Sequence, residues 1–453
     1  IQKFTSLSSD EISPPEADFT FQLHVKDMKV VSEIFIPDLK VKSNSKISGR
    51  YFTEDALLDF SLNSPGFEFQ GNKVEAVDLK YFSSNENSKI NFDVFYASLS
   101  NGTEIDSIFL NNKFKGDSLL FDFQCRVRDS IESEINLSGY ALKGKESGYD
   151  FGLRKSFFNI GMEEFHFNNK NLIRVDTGGV YIEDLILLGE NEKIITNGNI
   201  SKSQYEVLRV DIEGFDLDLV NYFIGSQKSQ FKGNLHGGFI LSQLLTESPR
   251  FASNLYVDSL SVNENLLGDM SMLSNWIYGS NRIPIDLNIA SNTLKLFELK
   301  GDYFVNGEQE LDMELKFNRF KLFIFNPFIE GLGDNLRGVA EGNLIVKGNL
   351  EKPSIQGDIK LIKVGMKIKI LETDYTLNDI PVIRVDNDNL SLNNVRIRDS
   401  EFGNGYVSGS VRHNNFRDFY LDLGIQADTL MALNTTASTE SAYFGRAFVS
   451  GDV

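Results

Sequence analysis

The chain has 453 residues, enough for about three ordinary domains, and carries 45 Lys and Arg against 64 Asp and Glu, a formal net charge of −19. That acidity argues against nucleic-acid binding, where Lys and Arg must neutralise phosphates, and against broad docking on an anionic membrane face. A hydrophobic content of 41% excludes a disordered chain, the single Cys125 excludes an internal disulfide or a thiolate metal cluster, and no apolar run reaches the ~18 residues of a membrane-spanning helix.

Residues 1–18, broken by Pro14-Pro15, read as a linker or frayed entry. No signal peptide opens the chain, Ile1 starts mid-pattern, and the last residues, AFVSGDV, stop inside a strand-like pattern, so the sequence reads as an internal piece of a longer protein. From residue 19 onward alternation with a period of two dominates. Leu119, Phe121, Phe123, Cys125 and Val127 alternate with Asp122, Gln124, Arg126 and Arg128. Ile285, Leu287 and Ile289 do the same, as do Leu311, Met313, Leu315 and Phe317, and Phe419, Leu421, Leu423 and Ile425. Each such run predicts a strand with one apolar and one wet face. Turn signals at Asn101-Gly102, Gly178-Gly179, Asn197-Gly198 and Asn404-Gly405 predict antiparallel hairpins, about 35–40 strands in all at ordinary strand lengths.

A unit that occurs twice organises the second half. FDLDLVNYFI begins at Phe215 and FKLFIFNPFI at Phe320; Leu217/Leu322, Asn221/Asn326, Phe223/Phe328, Gly233/Gly338 and Gly237/Gly342 keep the same offset, and Pro249/Pro353 follow one residue short of it. Such repetition marks a quasi-one-dimensional protein whose function lies along a surface. The segments that follow are 19–214, 215–319 for the first repeat and 320–453 for the second. Short helical turns are expected over 217–224 and 325–332. A longer helix is expected over 265–278, where Leu266, Leu267, Met270, Leu273 and Ile277 recur at helical spacing. The repeat glycines Gly233, Gly237, Gly338 and Gly342 suit turns or close backbone approaches, and Pro249 and Pro353 suit strand starts or edges.

Polar chemistry is sparse. His24, His166, His236 and His413 are scattered and fall on polar strand positions or turns, which suits solvated surface rather than a metal site. Cys125 reads as a small hydrophobe. Asp386 and Asp388 with their Asn neighbours read as a turn, since no calcium-loop pattern follows. Gly178-Gly179 and Gly237-Gly238 lack the lysine and helix start of a phosphate loop. Lys363, Lys367 and Lys369 form a small basic strip on one strand face. No catalytic residue, metal site or cofactor is expected.

The apolar strand faces need a cover, and helices are too few to supply it. The sheet can close over a packed core, or curl into a trough whose apolar wall meets a ligand. Apolar strand faces usually make core, so the pattern alone favours the packed core; the Phe-rich, irregular strands count against a tight solenoid and fit an open, wide groove better. Its lining is expected at Phe121, Phe123, Val127, Leu311, Met313, Leu315, Phe317, Leu421, Leu423 and Ile425.

The run GNLIVKGNLEKPSIQGDIKLI, over residues 342–362, resembles the glycine, proline and alternating-strand signature of TamB and the wider AsmA-like family. The stretch from Asn389 to the end is similar to the C-terminal region of TamB from Bacteroidetes-type bacteria, and the resemblance runs from Phe215 to Val453. It implies an all-β, elongated, mostly antiparallel sheet curled into a taco-like groove with an apolar interior. The family is implicated in carrying phospholipids across the periplasm, with an inner-membrane anchor and an outer-membrane Omp85-type barrel as partner. The resemblance also keeps open a scaffold role in outer-membrane protein assembly; a packed extracellular binding or adhesion protein is the remaining alternative. An acyl chain exposes about 0.8 kcal/mol per methylene to water, so sixteen carbons cost roughly 12 kcal/mol; an apolar trough removes that cost without chemistry.

Overall fold

The computed structural model describes residues 18–53, 57–84, 87–128, 132–144, 148–224, 230–276, 279–305, 310–329, 331–414, 417–436 and 444–452. The expected linker 1–18 therefore lies, except for Asp18, outside the described residues. Among the described residues the protein is all-β, with 30 strands. Every described strand pairing within each of the two compact units is antiparallel. Strands are fewer than the turn signals predict because several run long: Gly333–Gly348 and Pro353–Ile368 have 16 residues each, and Arg417–Thr435 has 19.

The first unit comprises residues 1–213 with 242–245, and the second 214–241 with 246–453. In the first unit, long strands succeed one another as hairpins, as where Gln70 and Gly71, both at positive φ, turn Leu57–Phe69 into Asn72–Ser83. That two-residue turn matches the right-handed twist of the strands it joins. Its core gathers around Val77, Val94 and Ala97, packed by Phe67, Val74, Phe92, Ile105 and Ile108.

In the second unit both repeats share one local plan: a strand, a short helix, a strand, and a proline before or at the start of the next strand. The first has the 3₁₀ helix Leu217–Val220 continued by Asn221–Ile224, then Phe231–Ser242, and Pro249 directly before Arg250–Val262. The second has the 3₁₀ helix Leu322–Phe328, then Gly333–Gly348, and Pro353 opening Pro353–Ile368. The second helix thus begins three residues before its expected start. A third short helix, Lys29–Phe35, carries no side-chain cap and has no counterpart among the sequence expectations.

One expectation fails outright. Residues 265–276 do not form a helix, and the last two expected helical residues, 277 and 278, lie outside the described residues; Asn265–Ser274 is a strand between Arg250–Val262 and Arg282–Ser291. The helix-like spacing arises from a bulge: Leu260 faces Gly268 and Ser261 faces Leu266, which leaves Leu267 as an extra residue. An inserted residue turns a period of two into a step of three, so Leu267 and Met270 mimic a helical face. The Asn197-Gly198 turn signal is likewise misplaced, since both residues lie inside the strand Lys193–Ser201. Gly198 sits at φ +116, where a Cβ would strike the carbonyl oxygen of Val207; the glycine serves a close strand approach, not a turn.

Bulges recur with one construction. Asp184, Ser259, Asn394 and Thr429 each sit at positive φ within a register shift. The backbone N–H of each donates to a side chain, respectively Asn197 Oδ1 (2.7 Å), Asp269 Oδ1 (2.9 Å), Ser408 Oγ (2.9 Å) and Ser450 Oγ (3.0 Å). The donor that the bulge removes from the ladder is thereby satisfied, while the extra residue adds local twist and bend to the sheet.

Candidate functional site

Residues directly opposite in an antiparallel sheet point to the same face, so the register shows which side chains line up across strands. In the second unit one row crosses eleven strands: Leu255, Met272, Leu287, Leu299, Leu315, Leu344, Gly357, Val385, Leu390, Val411 and Leu421. All are apolar. The row one residue further along the same strands reads Tyr256, Ser271, Asn288, Glu298, Lys316, Asn343, Asp358, Arg384, Ser391, Ser410 and Asp422. All of these carry a polar group and belong to the opposite face. At about 4.8 Å between neighbours, ten steps carry the apolar row roughly 48 Å along the sheet.

The first unit has a similar pair. Leu23, Ile47, Leu62, Leu79, Phe92, Leu110, Phe123 and Leu137 form an apolar row across eight strands, beside Gln22, Ser48, Ser61, Lys80, Asn91, Asn111, Asp122 and Ser138. Any half-buried antiparallel sheet presents such rows on its inner face, so what each row meets decides whether it is core or lane.

The lane of the second unit differs along its length. One stretch is filled by the protein's own side chains: Val257, Leu260, Val262, Leu267, Ile289, Leu296 and Phe320 form a buried cluster, with Leu217 and Phe323–Phe325 from the two short helices packed onto it. Past the helix Leu322–Phe328 the lane opens into a cavity of about 440 Å³, within the size range of small-molecule pockets. Its wall includes Ile329, Leu336, Leu361, Val364, Met366, Leu377, Leu390, Val395, Val411 and Phe419. Among the described residues Tyr375 supplies the only polar side-chain group of the lining, and its hydroxyl already donates to the Met431 carbonyl (2.6 Å). Burial pushes the Tyr375 phenol up from its ordinary value, so it remains a neutral donor. Among the described residues no charged side chain lines this wall. It can hold hydrocarbon.

Of the residues singled out from sequence, Leu421, Leu423 and Ile425 line this cavity. Leu315 lies on the same row as Leu421, four strands before the lining begins at that level. Leu311 and Met313 share its strand and face, and Phe317 turns into the filled stretch, its ring 5.3 Å from Phe297 and 5.7 Å from Phe320. Phe121, Phe123 and Val127 lie on one face of Ser118–Arg128 in the first unit, opposite Asn112, Leu110 and Ile105. Gly233 and Gly237 sit inside Phe231–Ser242, and Gly338 and Gly342 inside Gly333–Gly348, all at positive φ.

The part of the wall supplied by the short strands Thr373–Leu377 and Val382–Asp386 has no signal in the sequence. Five residues are too few to show a period. His413 is a correction: it is buried at 7% exposure, not on the wet side. Its ring lies 6.2 Å from that of Phe419, and burial pulls its pKa below the ordinary value despite the charge of Asp388. Cys125 is buried, which raises its thiol pKa. Lys367 of the basic strip is ion-paired with Glu372. No cluster of three or more metal-ligating side chains occurs among the described residues.

The family described as TamB, N-terminal domain, matches residues 13–361. The chain belongs to the TamB family. The match starts long before Phe215, so the TamB character extends into the first unit, where only strand style is legible by eye. A curated relative, the translocation and assembly module subunit TamB of Haemophilus influenzae, is 24% identical over 225 residues, which is 47% of this chain and 16% of the relative. The chain thus spans about a sixth of that TamB protein. No solved structure matches.

Proposed function

We propose that this chain is a stretch of a lipid conduit, in which phospholipid acyl chains lie along the apolar rows while headgroups stay in water. The observation that carries this reading is the eleven-strand apolar row ending in a cavity whose one polar group is already satisfied. A hydrocarbon chain asks for no directional partner, and the wall offers none. The hydrophobic gain of about 0.8 kcal/mol per methylene supplies the affinity.

In the whole protein, the conduit would cross the periplasm between the inner and outer membranes. It would be anchored in the inner membrane by a segment outside this chain and would meet an Omp85-type barrel at the outer membrane. TamB membership and the relative's designation as a module subunit support that setting. The same designation also favours a second reading, a scaffold for outer-membrane protein assembly that offers strands to a barrel client.

Photo-cross-linking in living cells separates the two. A reactive residue at Leu315, on the apolar row, should capture phospholipid, and one at Glu314, on the opposite face, should not. Capture of outer-membrane protein strands instead of lipid favours the scaffold, and adducts only to neighbouring strands of this chain defeat both.

A further inference from the structure

We infer that the short helix Leu322–Phe328 is a plug across the apolar lane of the second unit, latched by Asn326, and that hydrocarbon passes it only when the plug swings out. This rests on the proposed lipid reading and adds a point of control to it.

The placement comes from packing. Phe325 touches both the filled cluster around Phe320 and the second cluster of Leu322, Ala340 and Val364. Val364 and Leu336 of that second group already line the open cavity, as does Ile329, the residue after the helix. The helix therefore packs on the filled cluster through one side and, through the other, on Val364 and Leu336, whose side chains line the cavity. The row from Leu255 to Leu421 runs past this partition without a break in its sheet, and the cluster on the filled side is made of strand side chains with Phe323–Phe325 of the helix packed onto it.

The latch is a single side chain. Asn326 Oδ1 accepts from the Leu336 N–H (2.7 Å), and its Nδ2 reaches the Leu336 carbonyl (3.5 Å). A second side-chain bond holds the helix at its N-cap, where Lys321 Nζ donates to the Leu266 carbonyl (2.6 Å). The segment is a 3₁₀ helix, whose hydrogen-bond geometry is poor, and Pro327 inside it has no N–H to give. Beyond it the Ile329 N–H is shared between the Phe325 and Asn326 carbonyls at 3.3 Å each. A plug built this way comes away without unfolding either flanking strand.

The same device stands at the first repeat, which argues against chance packing. Asn221 follows the helix Leu217–Val220 and makes the matching pair of bonds to Phe231, both at 2.8 Å. Leu217 of that helix packs on the filled cluster from its own side. The filled stretch is thus bounded by two latched helices.

The test is photo-cross-linking in cells that make the full-length protein, with the reactive residue at Leu421 in the cavity or at Leu287 in the filled stretch, and radiolabelled phosphate as the probe for phospholipid adducts. Strong adducts at Leu421 and weak ones at Leu287 are expected. Asn326→Ala should raise the Leu287 signal by about five- to thirtyfold, the effect of one ordinary and one long hydrogen bond on a closed–open equilibrium, and leave Leu421 unchanged. Phe325→Ala, which thins the plug and keeps the latch, should also raise it, and stands in if Asn326→Ala fails to fold. Equal adducts at both positions in the unmodified protein, or no rise at Leu287 in either variant, overturns the plug while leaving the lipid lane intact. Adducts at neither position overturns the lipid reading itself.

Discussion

Asn221 and Asn326 each grip the backbone ten residues downstream by both ends of the side-chain amide, Asn221 at Phe231 and Asn326 at Leu336. The repeat in the sequence is therefore a repeat of a mechanical part. The copies are not equal: the bonds of Asn221 are both 2.8 Å and its Nδ2 also meets Asp218 Oδ1 at 2.8 Å, whereas the second bond of Asn326 is 3.5 Å. Asn221→Ala should then destabilise the protein by about 2–3 kcal/mol and Asn326→Ala by about 1–2, each leaving a backbone N–H without its partner. Urea unfolding of both variants checks the order.

The matched positions of Gly237 and Gly342 within the repeat have a steric cause. Gly237 sits at φ +116 and Gly342 at φ +148, and a Cβ would strike the carbonyl oxygens of Asn254 and Asp358 on the adjacent strands. Gly237→Ala and Gly342→Ala should each cost about 1–3 kcal/mol, since strain and displacement of the neighbouring strand act together. Thermal melts of the two variants should show matching losses. Gly331→Ala should lose far less, because a methyl group there would meet no atom within 4 Å.

A lane differs from a core in what a charge does to it. Leu421 is 52% exposed although it ends the apolar row, whereas Leu260 in the filled cluster is 8% exposed. Leu421→Asp should cost about 1 kcal/mol or less in stability and yet abolish lipid capture along the cavity. Leu260→Asp should cost about 4 kcal/mol or more through a buried, unpaired carboxylate. Paired unfolding and cross-linking measurements on the two variants test this; if Leu421→Asp unfolds the protein as Leu260→Asp does, the cavity is core and not lane.

Much of this was legible in the residues themselves. Alternation at Leu311–Phe317 or Leu119–Val127 needs only the two-residue period of a strand, a local rule, and it placed the apolar face correctly. The repeat showed itself because Asn, Gly and Pro occupy positions where only those residues satisfy the backbone. What stayed hidden was set by partners distant in sequence. The bulge at Leu267 is defined by Leu260 and Ser261 on another strand, so its apolar spacing passed for a helix. The cavity wall draws on Ile329, Tyr375 and Ile383, which come together only through the broken strand formed by Thr373–Leu377 and Val382–Asp386 between two long ones. His413 is a polar residue type on the face of Val411, two residues before it in the strand Asn404–Asn414, and its ring packs beside Phe419.

Burial of His413 makes stability depend on pH. Its folded pKa is lowered, chiefly by desolvation, with the Asp388 charge acting the other way. The folded protein therefore binds this proton less readily than the unfolded chain, whose histidine titrates near about 6.5. The contribution is whole above that value and is lost as pH falls below it toward the folded pKa. Between about pH 7.5 and about pH 5.5, a window that brackets the unfolded histidine value, the urea midpoint of the unmodified protein should drop more than that of His413→Leu. Parallel curves for the two proteins would assign the pH dependence to groups other than His413.

The hydroxyl of Tyr375 separates a hydrocarbon lane from a pocket that reads headgroups. It is the one polar side-chain group in the described cavity wall, and its proton is committed to the carbonyl of Met431, a residue 1% exposed. Tyr375→Phe removes that bond and leaves the Met431 carbonyl without the donor, so stability should fall by about 1–1.5 kcal/mol. Lipid capture at Leu421 should not change, because an acyl chain loses no partner. If the hydroxyl instead swung free to hold a phosphate or glycerol oxygen, the substitution would lower capture and leave the unfolding curve nearly where it was. Measured together, cross-linking yield and urea midpoint move in opposite patterns under the two arrangements, and the 2.6 Å bond to Met431 predicts that the midpoint is the one to move.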